Sequence, residues 1–99
     1  MKYIESKEEF IEAIENELVL VDFYATWCGP CQMLSPILDK LEKNNKDLLI
    51  VKVDVDKHPE IAKEHGVLSI PTIEIYKKSK LIDKAIGYLS EEELEDLLK

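Results

Sequence analysis

Leu18-Val19-Leu20-Val21-Asp22-Phe23-Tyr24-Ala25-Thr26-Trp27-Cys28-Gly29-Pro30-Cys31-Gln32-Met33-Leu34 changes its hydrophobic period halfway along. Leu18–Tyr24 is an almost unbroken apolar run of strand length. Beyond the cysteines, Met33, Leu34, Ile37, Leu38 and Leu41 recur at helical spacing. The only two cysteines and the only tryptophan of the chain fall in the five residues between. They lie where a buried strand hands over to a helix, so a thiol there meets free backbone N–H groups and the positive end of the helix dipole, which favour a thiolate.

Outward from this junction the chain reads as one α/β domain over residues 1–99. A strand that is apolar on both faces belongs in the middle of a parallel sheet covered by helices on each side. Before it, Met1–Glu5 suggests an edge strand through Tyr3 and Ile4. Ser6 with Glu9 is a capping-box pattern that opens a helix to about Glu17, with Phe10, Ile11, Ile14 and Leu18 as its buried stripe. After it, a helix from the cysteine turn to Asn44 contains Pro36, which predicts a kink. Leu48–Val55 is a strand with Val51, Val53 and Val55 on one face and Lys52 and Asp54 on the other. Pro59 suits the first turn of a short helix that Gly66 closes. Ile73 and Ile75 alternate with Thr72, Glu74 and Tyr76, a strand whose second face is more polar. Lys77–Lys80 should turn, although it lacks the Gly or Asn a tight hairpin prefers. Leu81–Ile86 pairs back, Ser90 with Glu93 forms a second capping box, and Leu94, Leu97 and Leu98 dock the last helix. The order (β)αβαβαββα predicts a three-layer sandwich with a mixed central β-sheet flanked by helices.

Composition narrows the function. A net charge of −8 disfavours nucleic acid as a partner. All 13 basic residues are lysines, so bidentate arginine recognition of phosphate is absent. No apolar run reaches the ~18 residues of a membrane span. Met1–Phe10 is charged and shows no apolar core of a signal peptide, so a cytoplasmic location is expected; a monomer is expected as well.

The two cysteines admit three readings: half of a zinc site, a redox pair, or coincidence. Zinc requires four ligands, and His58 and His65 are the only imidazoles. Their H-x6-H spacing misses the usual zinc layout, and both look like exposed helix-end residues. A redox pair fits better. Side chains three apart on a helix share a face, so Cys31 reaches back to Cys28. Cys28 is held outward in the turn as the attacking thiolate, and Cys31, inside the helix, is the resolving thiol. Gly29 allows close approach of a partner, and Pro30 stiffens the first turn. Asp22 is the second anomaly, a carboxylate in the core where Asp is rare unless paired. It could be a satisfied structural residue. In a disulfide exchanger, a buried carboxyl with a raised pKa can instead carry the proton of the resolving thiol. Lys52, on a neighbouring strand, is the partner for its charge.

Trp27-Cys28-Gly29-Pro30-Cys31 after Val21-Asp22-Phe23-Tyr24-Ala25, with Ser35-Pro36 in the helix and Ile70-Pro71-Thr72 heading a later strand, resembles the thioredoxin family over essentially the whole chain. The resemblance implies a dithiol–disulfide oxidoreductase that acts on disulfide-containing target proteins, is recharged by a flavoprotein reductase and needs no cofactor beyond the cysteine pair. Thioredoxin is itself a standard instance of a C-x-x-C pair with a lowered thiol pKa, so that activation comes with the resemblance. By matching positions, Cys28 and Cys31 are the redox pair, Asp22 the buried carboxyl and Lys52 its neighbour. Trp27, Gly29, Pro30, Ile70, Pro71 and Gly87 would line the apolar patch that receives the target, with Pro71 in cis. Four positions depart from the pattern: Tyr24 replaces a frequent Trp, Gln32 a frequent basic residue, Glu74 a usual apolar residue, and the Lys77–Lys80 turn lacks a glycine. A reductase is the leading function. An oxidant or isomerase on the same fold and a non-catalytic binding or assembly module are the alternatives.

Overall fold

The computed structural model describes residues 1–99. The elements in chain order are β1 (Lys2–Tyr3), α1 (Lys7–Ala13), β2 (Leu18–Tyr24), α2 (Gly29–Asn44), β3 (Leu48–Asp54), α3 (Pro59–Glu64), β4 (Thr72–Lys77), β5 (Lys80–Ile86) and α4 (Glu91–Leu97). The strands form one sheet in the order β1-β3-β2-β4-β5. β2 pairs parallel with β3 and antiparallel with β4, which makes the sheet mixed and puts the apolar run at its centre.

Alternation along β2 divides the core into two layers. Val19, Val21 and Phe23 join Val51, Val53, Phe10, Ala13 and Ile61 on the α1/α3 face. Leu20 joins Ile50, Ile73 and Ile75 under Leu34, Leu38 and Leu41 of α2 and Leu94 of α4. Asp22 and Tyr24, two and four residues from Leu20, therefore belong to the α2 face. α2 continues unbroken through Pro36. Gly66 takes a φ of +65° after α3, a conformation that favours glycine at a helix end.

α1 is shorter than its apolar pattern suggests, ending at Ala13 rather than Glu17. Beyond its end, the Ile14 and Asn16 carbonyls accept the backbone N–H groups of Ser79 (2.8 Å) and Lys78 (3.1 Å). The β4–β5 turn thus competes with further helix for those acceptors. The same two bonds brace Lys78 and Ser79 at positive φ without glycine. Ile11 is 50% exposed and lies outside the buried stripe, which consists of Phe10 and Ala13. The first cap is half a capping box. Ser6 Oγ accepts from the Glu9 N–H, but the Glu9 carboxylate takes the N–H of Glu5. At Ser90 and Glu93 both halves form.

The polar face of β4 is buried, not solvated. Glu74 is 1% exposed, and its Oε1 accepts from the Tyr76 hydroxyl at 2.7 Å and lies 2.9 Å from His65 Nδ1. Lys84 of β5 stands 3.7 Å from the other oxygen and donates to the His65 carbonyl at 2.7 Å. The two histidines sit at helix ends as expected but are not exposed. His65 packs against the rings of Phe10 and Phe23, and His58 Nε2 lies 3.0 Å from the Ile4 carbonyl oxygen. The network fastens the end of α3 to the sheet, and the chain runs directly from there to Ile70 and Pro71.

Candidate active site

β2 delivers the chain to the surface at Tyr24, and α2 starts at Gly29 with Cys28 as its N-cap. Pro30 occupies the first turn, where a missing N–H is harmless. Cys28 and Cys31 are joined as a disulfide with Cα atoms 5.3 Å apart. Cys28 Sγ accepts the backbone N–H of Cys31 at 3.2 Å, so a donor at the helix N-terminus is aimed at this sulfur. That contact separates the two sulfurs chemically. Solvent access does not, because Cys28 and Cys31 are 5% and 3% exposed. The expectation of an outward Cys28 is corrected here. Ala25 and Ile70 pack over the pair, and Cys28 Sγ is 3.9 Å from the Ile70 carbonyl oxygen.

Ile70 precedes Pro71, and the peptide bond between them is cis. Gly87 donates its N–H to the Pro71 carbonyl at 2.8 Å, which brings the end of β5 to the same corner. Gly87 has a φ of +96°, which disfavours any side chain there. Nothing in the chain lies within 4 Å of where a Cβ on Gly29 would stand, so that approach is open. Trp27 is 70% exposed and anchored through Nε1 to Asp56 at 2.8 Å. Gly29 and Pro30 are also exposed, Ile70 and Gly87 half-buried, and Pro71 buried.

Asp22 and Lys52 face each other in the β2–β3 register, with Lys52 Nζ 2.8 Å from Asp22 Oδ2. Their exposures are 0% and 4%. The contact is an ion pair by distance, but neither carboxylate oxygen receives a well-directed hydrogen bond. Burial pushes the Asp22 carboxyl above its ordinary range, and the Lys52 charge only partly opposes this. A cleft of about 200 Å3 opens beside the pair, walled by Tyr3, Tyr24, Thr26, Cys31, Ser35 and Lys52. Gln32 crosses its rim to the Thr26 carbonyl at 2.7 Å. No group of three or more His, Cys, Asp or Glu side chains gathers as a metal centre requires. No helix is long and apolar enough to cross a membrane.

Sequence reasoning missed Asp56 in this region and noted Tyr24 only as the replacement for a frequent Trp, not as a neighbour of Lys52. Asp56, the anchor of Trp27, carries no signal in a charged loop. Tyr24, whose ring lies under Lys52 Nζ, could have been found from its i+2 relation to Asp22 on one strand face.

A mixed sheet that presents a C-x-x-C disulfide at a helix N-terminus, beside a cis-proline loop, defines a thiol–disulfide exchange protein. The Thioredoxin family model matches residues 2–99. The chain is 45% identical over 100 residues to the thioredoxin of Mycoplasmoides gallisepticum, covering all of both chains. Oxidised mitochondrial thioredoxin 3 from Saccharomyces cerevisiae superposes with a TM-score of 0.92 at 41% identity, over 99% of this chain and 92% of the yeast one. A chain from a structure describing thiol resolution in yeast mitochondrial 1-Cys peroxiredoxin through glutathione and thioredoxin systems gives 0.92 at 40% identity, with the same coverage. The chain belongs to the thioredoxin family, and it is an oxidoreductase that exchanges its cysteine pair with protein disulfides.

Proposed function

We propose that residues 1–99 act as a single monomeric domain that reduces protein disulfides with Cys28 as nucleophile and Cys31 as resolving thiol. The observation that carries this assignment is the Cys31 N–H directed at Cys28 Sγ. In the reduced protein the same donor and the helix dipole favour a thiolate on Cys28. That thiolate attacks one sulfur of the target disulfide, forming the mixed disulfide and expelling the other target sulfur as a thiolate that takes a proton from water. Cys31 then gives its proton to the Asp22 carboxylate, and its sulfur attacks Cys28 Sγ. The second target sulfur leaves, two electrons have passed to the target, and the Cys28–Cys31 bond is closed.

Lys52 balances the Asp22 charge between turnovers. Trp27, Gly29, Pro30, Ile70, Pro71 and Gly87 form the patch on which an extended target segment lies. Peroxiredoxin-type disulfides are one target class that suits it. The cysteine pair is the electron store, a flavoprotein reductase returns it to the dithiol, and the reducing cytoplasm is the compartment in which this direction of flow operates. The test is turnover of a protein disulfide with a thioredoxin reductase and NADPH. The parent should turn over, and the Cys28→Ser/Cys31→Ser double variant should not. Retention of the biological role by the double variant would point to a binding module instead.

A further inference from the structure

Lys52 has left water almost completely, and its ammonium has two neighbours. One is Asp22 Oδ2 at 2.8 Å; the other is the ring of Tyr24, whose centroid is 4.5 Å away. The face of an aromatic ring carries the negative part of its quadrupole, so it attracts a cation, and more strongly where water is excluded. The strand geometry makes this arrangement. Asp22 and Tyr24 are two apart on β2 and share a face, while Lys52 is the β3 register partner of Asp22. Tyr24 is braced in turn by Tyr3, edge-on at 6.4 Å and 82°, and Tyr3 is the β1 register partner of Lys52. The cleft runs past Tyr3, Tyr24 and Lys52 to Cys31.

We propose that Tyr24 is a positioning residue for the resolving half of the exchange: its ring face holds the Lys52 ammonium against Asp22, at the cleft that reaches Cys31, and so sets the pH at which this carboxyl is free to take a proton. This rests on the proton role proposed for Asp22. The charged group that faces Asp22 is Lys52 on β3, with Tyr24 two residues along β2; Tyr3 on β1 and Cys31 on α2 line the cleft beside Lys52, Asp54 on β3 is the register partner of Tyr24, and β4 presents Ile73. Burial, reinforced by Asp54, Tyr3 and Asp22, raises the Tyr24 phenol above its ordinary range, so the ring stays neutral throughout the range in which Asp22 titrates. Lys52 is the main counterweight to the burial of Asp22. An ammonium without the ring is free to swing toward the cleft, and the carboxyl then keeps its proton to a higher pH.

The experiment titrates the Asp22 carboxyl by 13C NMR in the full oxidised chain, with Asp22→Asn to assign the signal. Mixed-disulfide release is followed by stopped flow over the same pH range. Tyr24→Leu should raise both midpoints by about half a pH unit or more. Tyr24→Phe keeps the ring face and should keep the parent midpoints. Tyr24→Met serves as the ringless variant if Tyr24→Leu does not fold. An unmoved carboxyl midpoint in the ringless protein, or an equal movement in Tyr24→Phe, overturns the assignment to Tyr24. A carboxyl midpoint that moves while the pH profile of release stays in place overturns it through Asp22, whose proton role then fails.

Discussion

Glu74→Ala removes the acceptor at the centre of the Glu74–Tyr76–His65–Lys84 network, and its effect can be worked from the contacts. Tyr76 is 4% exposed, and its hydroxyl loses a 2.7 Å bond. An unsatisfied buried hydroxyl costs about 1–3 kcal/mol. The one buried methylene that the change removes, Cγ, contributes about 0.8 kcal/mol. Tyr76 and His65 can turn toward each other from 3.2 Å, which recovers part of the loss, and relief from burying the carboxyl recovers more. A net loss of about 2 kcal/mol follows. In a chain of this length that lowers Tm by roughly 8–16 °C. Glu74→Leu combined with Tyr76→Phe removes donor and acceptor together and should be far milder than the sum of the two single changes. Urea unfolding at pH 7 followed by far-UV circular dichroism measures all the variants. A loss under about 1 kcal/mol in Glu74→Ala, or strict additivity in the pair, would refute a cooperative buried network.

Asp22 makes a signed prediction for pH. Its folded pKa lies above the ordinary 3.8, so its stabilising contribution is complete below that value and is lost as pH rises through the folded pKa. The stability of Asp22→Asn relative to the parent should therefore improve as pH rises from about 4 to 8 in denaturant titrations; a difference that moves the other way contradicts the burial argument. Tyr76 is held far above the usual phenol range by burial and by Glu74. Alkaline difference spectra against Tyr76→Phe should show no Tyr76 phenolate until the fold is lost, and early ionisation would mean that the site is open. Ser90→Ala, which removes the Oγ that accepts the Glu93 N–H in the α4 capping box, should cost about 1 kcal/mol in thermal or urea unfolding.

What could be read from the sequence was whatever short-range periodicity or turn chemistry decides. The strand-to-helix junction at Cys28, the central place of β2, the Ser90 box and the Gly66 helix stop are all of that kind. The features that escaped depend on partners far along the chain. Cys28 is covered by Ile70, 42 positions away, so a thiol that looks exposed at a helix tip is shielded in the fold. α1 stops early because the turn at Lys78 and Ser79 takes the carbonyls of Ile14 and Asn16. Glu74 marked only a more polar strand face, because alternation gives the period of a face and not what covers it; Phe10 of α1 and His65 at the end of α3 lie on that face. The Asp22–Lys52 pair could be inferred from one acid and one lysine on adjacent strands. The ring of Tyr24 lies beneath that lysine because it shares a strand face with Asp22, a relation of spacing two that the sequence carries.

The account stands on the division of labour between the two sulfurs, and trapping tests it most directly. Cys31→Ser leaves the attacking sulfur and its helix N-terminus in place but removes the thiol that releases the target. Incubated in reduced form with a disulfide-bearing protein target, it should accumulate a covalent complex that survives non-reducing electrophoresis and dissolves on reduction. Mass spectrometry of that complex should place the mixed disulfide at Cys28. Cys28→Ser should yield neither complex nor turnover. Trapping of the same target by Cys28→Ser through Cys31, or turnover by Cys31→Ser at the parent rate, would contradict the assignment.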